Sequence, residues 1–169
     1  MPGTPLAAPF HRAVLGLNGG ATDPLVVKLG CELARSFKAT VVALHIVEVD
    51  WTHDLADDIA SGNELAASVL DMAEGIAEKY GITLETHLIQ ARDIGPALVD
   101  EAAELEADTI LLGLPYRKRF GGDFAIGRTV PYVLENASAG VIIVREPIPA
   151  TEAQALPPAL AGTTSGPAS

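Results

Sequence analysis

Cysteine is nearly absent. The 169-residue chain has one, Cys31, which excludes a disulfide framework or a cysteine-built metal site within the chain. Basic residues are also scarce: 11 Lys and Arg stand against 22 Asp and Glu, for a net charge of −11. Bulk nucleic-acid binding is therefore excluded, because a polyanion would be repelled. No apolar run approaches the roughly 20 residues that cross a bilayer. The opening stretch, MPGTPLAAPFHR, lacks a basic segment followed by an apolar core and so does not read as a secretory signal. The expectation is a soluble, cytoplasmic protein without direct membrane insertion. The four histidines, His11, His45, His53 and His87, include no close pair at metal-ligand spacing. What the chain does have is apolar mass, 49% hydrophobic against 20% charged residues, at a length suited to one domain with one sizeable core.

The ends differ from the middle. Residues 1–10 contain three prolines and no periodic pattern, and residues 147–169 are rich in Pro, Ala, Gly, Ser and Thr with one charge, Glu152. Both read as flexible extensions, since neither can bury enough apolar surface to offset its ordering entropy. Between them lies an alternation of short apolar runs and helical periods. Ala13–Leu17, Thr40–Val49, Ile82–Ile89, Asp108–Gly113 and Val141–Val144 read as strands. Helices are predicted after Thr22 or Asp23, over about 63–80, over about 94–106 with Asp93 as cap, and over 127–136. In the first helix Leu25, Leu29, Leu33 and Phe37 recur at i, i+4 as the expected buried stripe. Five strands alternating with four helices imply an α/β fold, an open five-stranded parallel sheet with helices on both faces and a Rossmann-like character. Such sheets bind ligands beyond the carboxyl ends of their strands, where the strand order reverses.

One carboxyl-end segment stands out. Positions 113–129 gather Arg117, Lys118, Arg119 and Arg128, four of the 11 basic residues, together with Gly113, Gly121, Gly122 and Gly127. Glycines permit close backbone approach. Gly127, Arg128 and Thr129 then open a helix whose unpaired N–H groups and dipole favour an anion. An oligophosphate needs these features. The alternative reading is a solvated basic loop with a turn glycine. The acidic loop with Asp50, His53, Asp54, Asp57 and Asp58 reads as an exposed face or, as the alternative, a divalent-cation site. Cys31 reads as buried, and Ser61 and Ser138 have no visible base for nucleophilic chemistry.

Residues 11–146 resemble the universal stress protein family. The matching elements are Ala13–Gly20 (AVLGLNGG), Leu44–Val47 (LHIV), Ala107–Gly113 (ADTILLG), Gly127–Val130 (GRTV) and Ala139–Val144 (AGVIIV). The resemblance implies one domain over 11–146, of the adenine nucleotide alpha hydrolase-like kind and typically dimeric. ATP-binding members carry Gly, two residues, Gly, nine residues, Gly, then Ser or Thr. Here Gly113 matches the first glycine, Tyr116 replaces the second, and Gly127 follows after ten residues instead of nine. Arg128 stands at the hydroxyl position, with Thr129 one place later. Asn18 occupies the position of an Asp that contacts the nucleoside, and Ile46 that of the apolar residue lying against adenine.

The site implied by pattern and resemblance together comprises Leu17, Asn18, Gly19, Ile46, Gly113, Tyr116, Arg117, Lys118, Arg119, Gly127, Arg128 and Thr129. Its ligand would be ATP or another adenine nucleotide, with Mg2+ accompanying it; a cyclic nucleotide, a dinucleotide or phosphate satisfies the same logic, with the cations replacing lost backbone donors. The implied role is regulatory, in stress response or signalling. No catalytic residue is named, and any ATP hydrolysis would be slow and incidental. The alternative is a ligand-independent dimeric adaptor paired through Val141, Ile142, Ile143 and Val144, with a membrane transporter as an example of a partner. Asn18–Asp23 is also partly similar to the Ser-Gly-Gly-x-Asp-Ser loop of pyrophosphate-forming ATP enzymes, but lacks its serine.

Overall fold

A computed structural model describes residues 7–55, 60–118 and 124–150. Nine elements follow in order: β1 (Arg12–Leu17), α1 (Asp23–Phe37), β2 (Thr40–Glu48), α2 (Ala60–Lys79), β3 (Glu85–Ala91), α3 (Ile94–Glu104), β4 (Thr109–Leu114), α4 (Thr129–Asn136) and β5 (Gly140–Arg145). The strands form one sheet in the order β3-β2-β1-β4-β5, and every neighbouring pair is parallel. Strand order reverses between β1 and β4, so their carboxyl ends form the switch point.

The period-2 alternation of the strands divides the core into two layers. Ala13, Leu15, Val41, Ala43 and Leu111 point to one face, where they pack with Val26, Val27 and Cys31 of α1 and Val69 and Ala73 of α2. Val14, Val42, Leu44, Ile46, Ile110 and Leu112 point to the other face, against Leu98 and Ala102 of α3 and Val133 of α4. This is the doubly covered parallel sheet that the alternating pattern predicts.

Three local expectations need correction. The buried face of α1 is Val26, Val27, Gly30, Cys31 and Ala34, while Leu25 and Phe37 are exposed; Leu29 and Leu33 pack at the margin of the core. The cause is closeness. A Cβ on Gly30 would lie 2.7 Å from Leu15 Cδ2, so the helix approaches the sheet through its smallest residues and displaces the leucines to the flank. Strand β3 begins at Glu85, not Ile82. The Ile82 N–H donates to Ala77 O at 3.0 Å, closing α2 around Gly81 at φ +67°, and Ile82 and Leu84 pack beneath the first core layer. Helix α4 begins at Thr129, with Arg128 at its N-cap. Asp93 does sit at the N-cap of α3, although its side chain makes no capping bond. Of the two expected extensions, 1–10 and 147–169, residues 1–6 and 151–169 lie outside the described residues; Phe10 is buried in the first core layer, so the core starts inside the segment expected to be an extension. Among the described residues no helix is long and apolar enough to cross a membrane.

Candidate functional site

The β1–α1 loop is organised by its own carboxylate. Asp23, 2% exposed, accepts hydrogen bonds from the Asn18 N–H at 3.2 Å and the Gly19 N–H at 2.7 Å. Burial pushes its carboxyl above the usual range, and the two backbone bonds and His45 oppose that push. Gly19 takes φ +82°, the left-handed region that suits glycine, and the Gly20 N–H donates to Asn18 Oδ1 at 2.8 Å. His45 is buried behind this loop. Its Nδ1 lies 2.9 Å from Leu17 O, and a carbonyl can only accept, so Nδ1 carries the proton.

The segment after β4 doubles back. The Ala125 N–H donates to Arg117 O at 2.8 Å, and Lys118 and Phe124 form an antiparallel bridge. Tyr116 is held from three sides: its N–H donates to Glu146 Oε1 at 2.8 Å, its ring stacks on Phe124 at 5.6 Å between centroids, and Arg145 stands 5.6 Å from the ring centre. Arg119, Gly121 and Gly122 lie outside the described residues.

Two cavities adjoin this segment at the switch point. One, of about 230 Å3, is lined by Leu17, Asn18, Gly113, Arg117, Gly127 and Thr129, with apolar walls from Ile94, Leu98, Leu112 and Val130. The other, of about 440 Å3, is polar and lies against Asn18–Thr22, Pro115, Tyr116, Arg117 and Glu146. Asn18, Pro115 and Arg117 belong to both walls. Nine of the twelve sequence-predicted residues thus converge here: Leu17, Asn18, Gly19, Gly113, Tyr116, Arg117, Gly127 and Thr129 as walls, and Lys118 beside them in the doubled-back segment.

Others lie elsewhere. Ile46 is 7% exposed and belongs to the α3–α4 core layer, and neither cavity reaches it. Arg128 is turned to the surface, where its Nη2 pairs with Glu48 Oε1 at 2.7 Å. Gly113 owes its missing side chain to the fold as well: a Cβ there would lie 2.9 Å from both Cβ and Cγ2 of Thr22. The sequence reading missed Glu146, Asp23 and the Ile94–Leu98 pair. The i, i+4 spacing of the last two at the start of α3, and the position of Glu146 just past β5, were the available signals.

The acidic loop satisfies itself. The Thr52 N–H donates to Asp50 Oδ1 at 2.8 Å and His53 Nδ1 lies 3.0 Å from the same oxygen. The Thr52 hydroxyl and His53 together hold the Asp50 carboxyl down to about 2. Asp57 and Asp58 lie outside the described residues. Among the described residues no group of three or more His, Cys, Asp or Glu side chains is placed to hold a metal ion.

Comparison with known proteins follows the same lines. A universal stress protein from Archaeoglobus fulgidus, solved in complex with dAMP, superposes with a TM-score of 0.61 at 23% identity, over 78% of this chain and 95% of that one. A universal stress protein in complex with cAMP superposes with a TM-score of 0.62 at 20% identity, over 80% of this chain and 97% of that one. At these identities the likeness is one of fold. In sequence, the sensor protein KdpD of Mycobacterium tuberculosis (strain CDC 1551 / Oshkosh) is 24% identical over 137 residues. That stretch is 81% of this chain but 14% of KdpD, so the chain spans about one-seventh of that relative. Residues 9–145 match the universal stress protein family, and the chain belongs to that family.

Proposed function

We propose that this protein binds an adenine nucleotide at the β1–β4 switch point and acts by regulation, with occupancy altering a contact with a partner. The carrying observation is Arg117. It is exposed and lines both an apolar cavity of about 230 Å3 and the polar cavity beside it. The apolar walls from Ile94, Leu98 and Val130 suit a base, and the guanidinium suits a phosphate, to which a charge-assisted bond is roughly twice as strong as a neutral one. Family members with this fold are solved with dAMP and with cAMP, which supports the reading. The role is binding, with hydrolysis of ATP at most slow and incidental.

Thermal-shift measurement against AMP, cAMP and ATP tests it. A ligand at about 100 times its Kd stabilises by roughly 2.7 kcal/mol, which raises Tm by about 5–10 °C for a domain of this size. Arg117→Ala should abolish most of that rise. A flat panel with the wild-type chain would refute nucleotide binding.

A second reading has its own observation. The Asn18 and Gly19 N–H groups are taken by Asp23 and Arg128 is taken by Glu48, so part of the expected anion site is already neutralised internally. That favours a ligand-independent adaptor, with a homodimer formed through Val141–Val144 on β5, the last strand of the sheet. A flat thermal panel combined with a dimer mass by light scattering would select this reading.

A further inference from the structure

The two cavities differ in chemistry, and the difference bears on what the ligand carries beyond its phosphate. Resting on the nucleotide reading above, we infer that the ligand is a nucleotide whose phosphate continues into an uncharged second group bearing hydroxyl or amine donors, the class of ADP-ribose and diadenosine diphosphate, and that a nucleoside triphosphate is disfavoured.

Size is the first ground. The apolar cavity of about 230 Å3 lies below the roughly 300–1,000 Å3 of ordinary small-ligand sites, and the adjoining polar cavity of about 440 Å3 brings the pair into that range. Arg117 is the cation common to both walls, so a ligand spanning them places its phosphate at that guanidinium and a further group on each side.

Charge is the second. Glu146 lines the polar cavity, and one of its oxygens accepts the Tyr116 N–H. The Asn18 and Gly19 N–H groups, which would otherwise offer donors to a terminal phosphate, point into the Asp23 carboxylate, and the Gly20 N–H is held by Asn18 Oδ1. Arg145 is engaged with the Tyr116 ring and is not part of the cavity wall. A β,γ-phosphate chain would therefore meet the Glu146 carboxylate in that wall, with the Asn18, Gly19 and Gly20 N–H groups already committed. An uncharged group reverses the match. Its O–H or N–H donors meet the Glu146 carboxylate as acceptor, and the Tyr116 ring offers an apolar wall to a sugar or base.

Calorimetry on the full chain with AMP, ATP, ADP-ribose and diadenosine diphosphate decides it. The expected result is that at least one two-part ligand binds roughly tenfold or more tightly than AMP, while ATP binds no tighter than AMP. A gain for diadenosine diphosphate alone assigns the second group as a base, and a gain for ADP-ribose alone assigns a sugar. Ala21→Trp, an exposed residue in the wall of the polar cavity, should bring the two-part-to-AMP affinity ratio down to about one. Glu146→Gln keeps an oxygen for the Tyr116 N–H and should raise the ATP-to-AMP ratio severalfold. AMP binding as tightly as both two-part ligands, or ATP binding tightest of all, overturns this inference and leaves the nucleotide reading standing. Absence of binding by all four ligands defeats the nucleotide reading itself.

Discussion

Gly113→Ala separates two reasons for a glycine at the end of β4. In a phosphate-binding loop the missing side chain lets a ligand approach backbone; in this structure it also lets α1 approach the sheet. The added Cβ would lie 2.9 Å from Thr22 Cβ, 2.9 Å from Thr22 Cγ2 and 3.2 Å from Val26 Cγ2. Ordinary contact begins near 3.4 Å, so the first turn of α1 must retreat by about half an ångström. Both neighbours are β-branched and buried, with little rotamer freedom to yield. Overpacking of this kind costs about 1–3 kcal/mol, which lowers Tm by roughly 2–12 °C in a chain of this size. Thr22→Ser removes the Cγ2 obstacle but leaves Cβ, so the double variant should recover part of the loss. A favourable coupling of at least about 0.5 kcal/mol in urea melts is the expected mark of a shared steric cause. If Gly113→Ala melts within about 0.5 kcal/mol of wild type yet no longer shifts with AMP, the steric account is wrong and the glycine serves the ligand.

Other outcomes follow from single sites. Arg128→Ala should leave any AMP-induced thermal shift intact and change stability by less than about 1 kcal/mol, because its pair with Glu48 is exposed; loss of the shift would place Arg128 in the site. His87 Nε2 lies 2.8 Å from Glu85 and Nδ1 3.1 Å from Glu101, and the Glu85 bond foremost raises its affinity for a proton above the usual 6.5. The stabilisation it brings is therefore complete below about pH 6.5 and fades as pH climbs through the higher folded value. His87→Gln should flatten that decline in urea melts taken on either side of neutrality, and parallel curves for the two proteins would refute the pairing. Burial pushes the Cys31 thiol up to about 11, so a thiol-specific disulfide reagent should react only in denaturant; rapid labelling of the native chain would show that α1 opens.

Sequence pattern carried the architecture further than the site. The β-branched run Thr40–Val49 reads as a strand, and Val41–Val47 are all buried in β2. The α1 stripe misled because i, i+4 leucines signal a buried face only when the helix stands at ordinary distance from the sheet. Gly30, Cys31 and Ala34 bring it closer, and small residues carry almost no hydrophobic signal. Arg117 was legible from charge clustering against an acidic background. The Arg128–Glu48 pair was not, since the partners are 80 positions apart and meet only through the β2–β1–β4 order. Ile46 illustrates a further limit. Its position in β2 fixes which face it points to, but not how far a cavity opened by α3 and α4 extends toward it.

The buried Asp23 carboxylate has a mechanical consequence for the rim it supports. Turning either the Asn18 or the Gly19 peptide away would leave one oxygen of a buried carboxylate without its donor, a change costing about 1–3 kcal/mol, so the rim resists gradual deformation. A visiting molecule must fit its existing contour. Swapping the carboxylate for an amide or a methyl would make that edge pliable, and selectivity between guests of different shape would fall before affinity did.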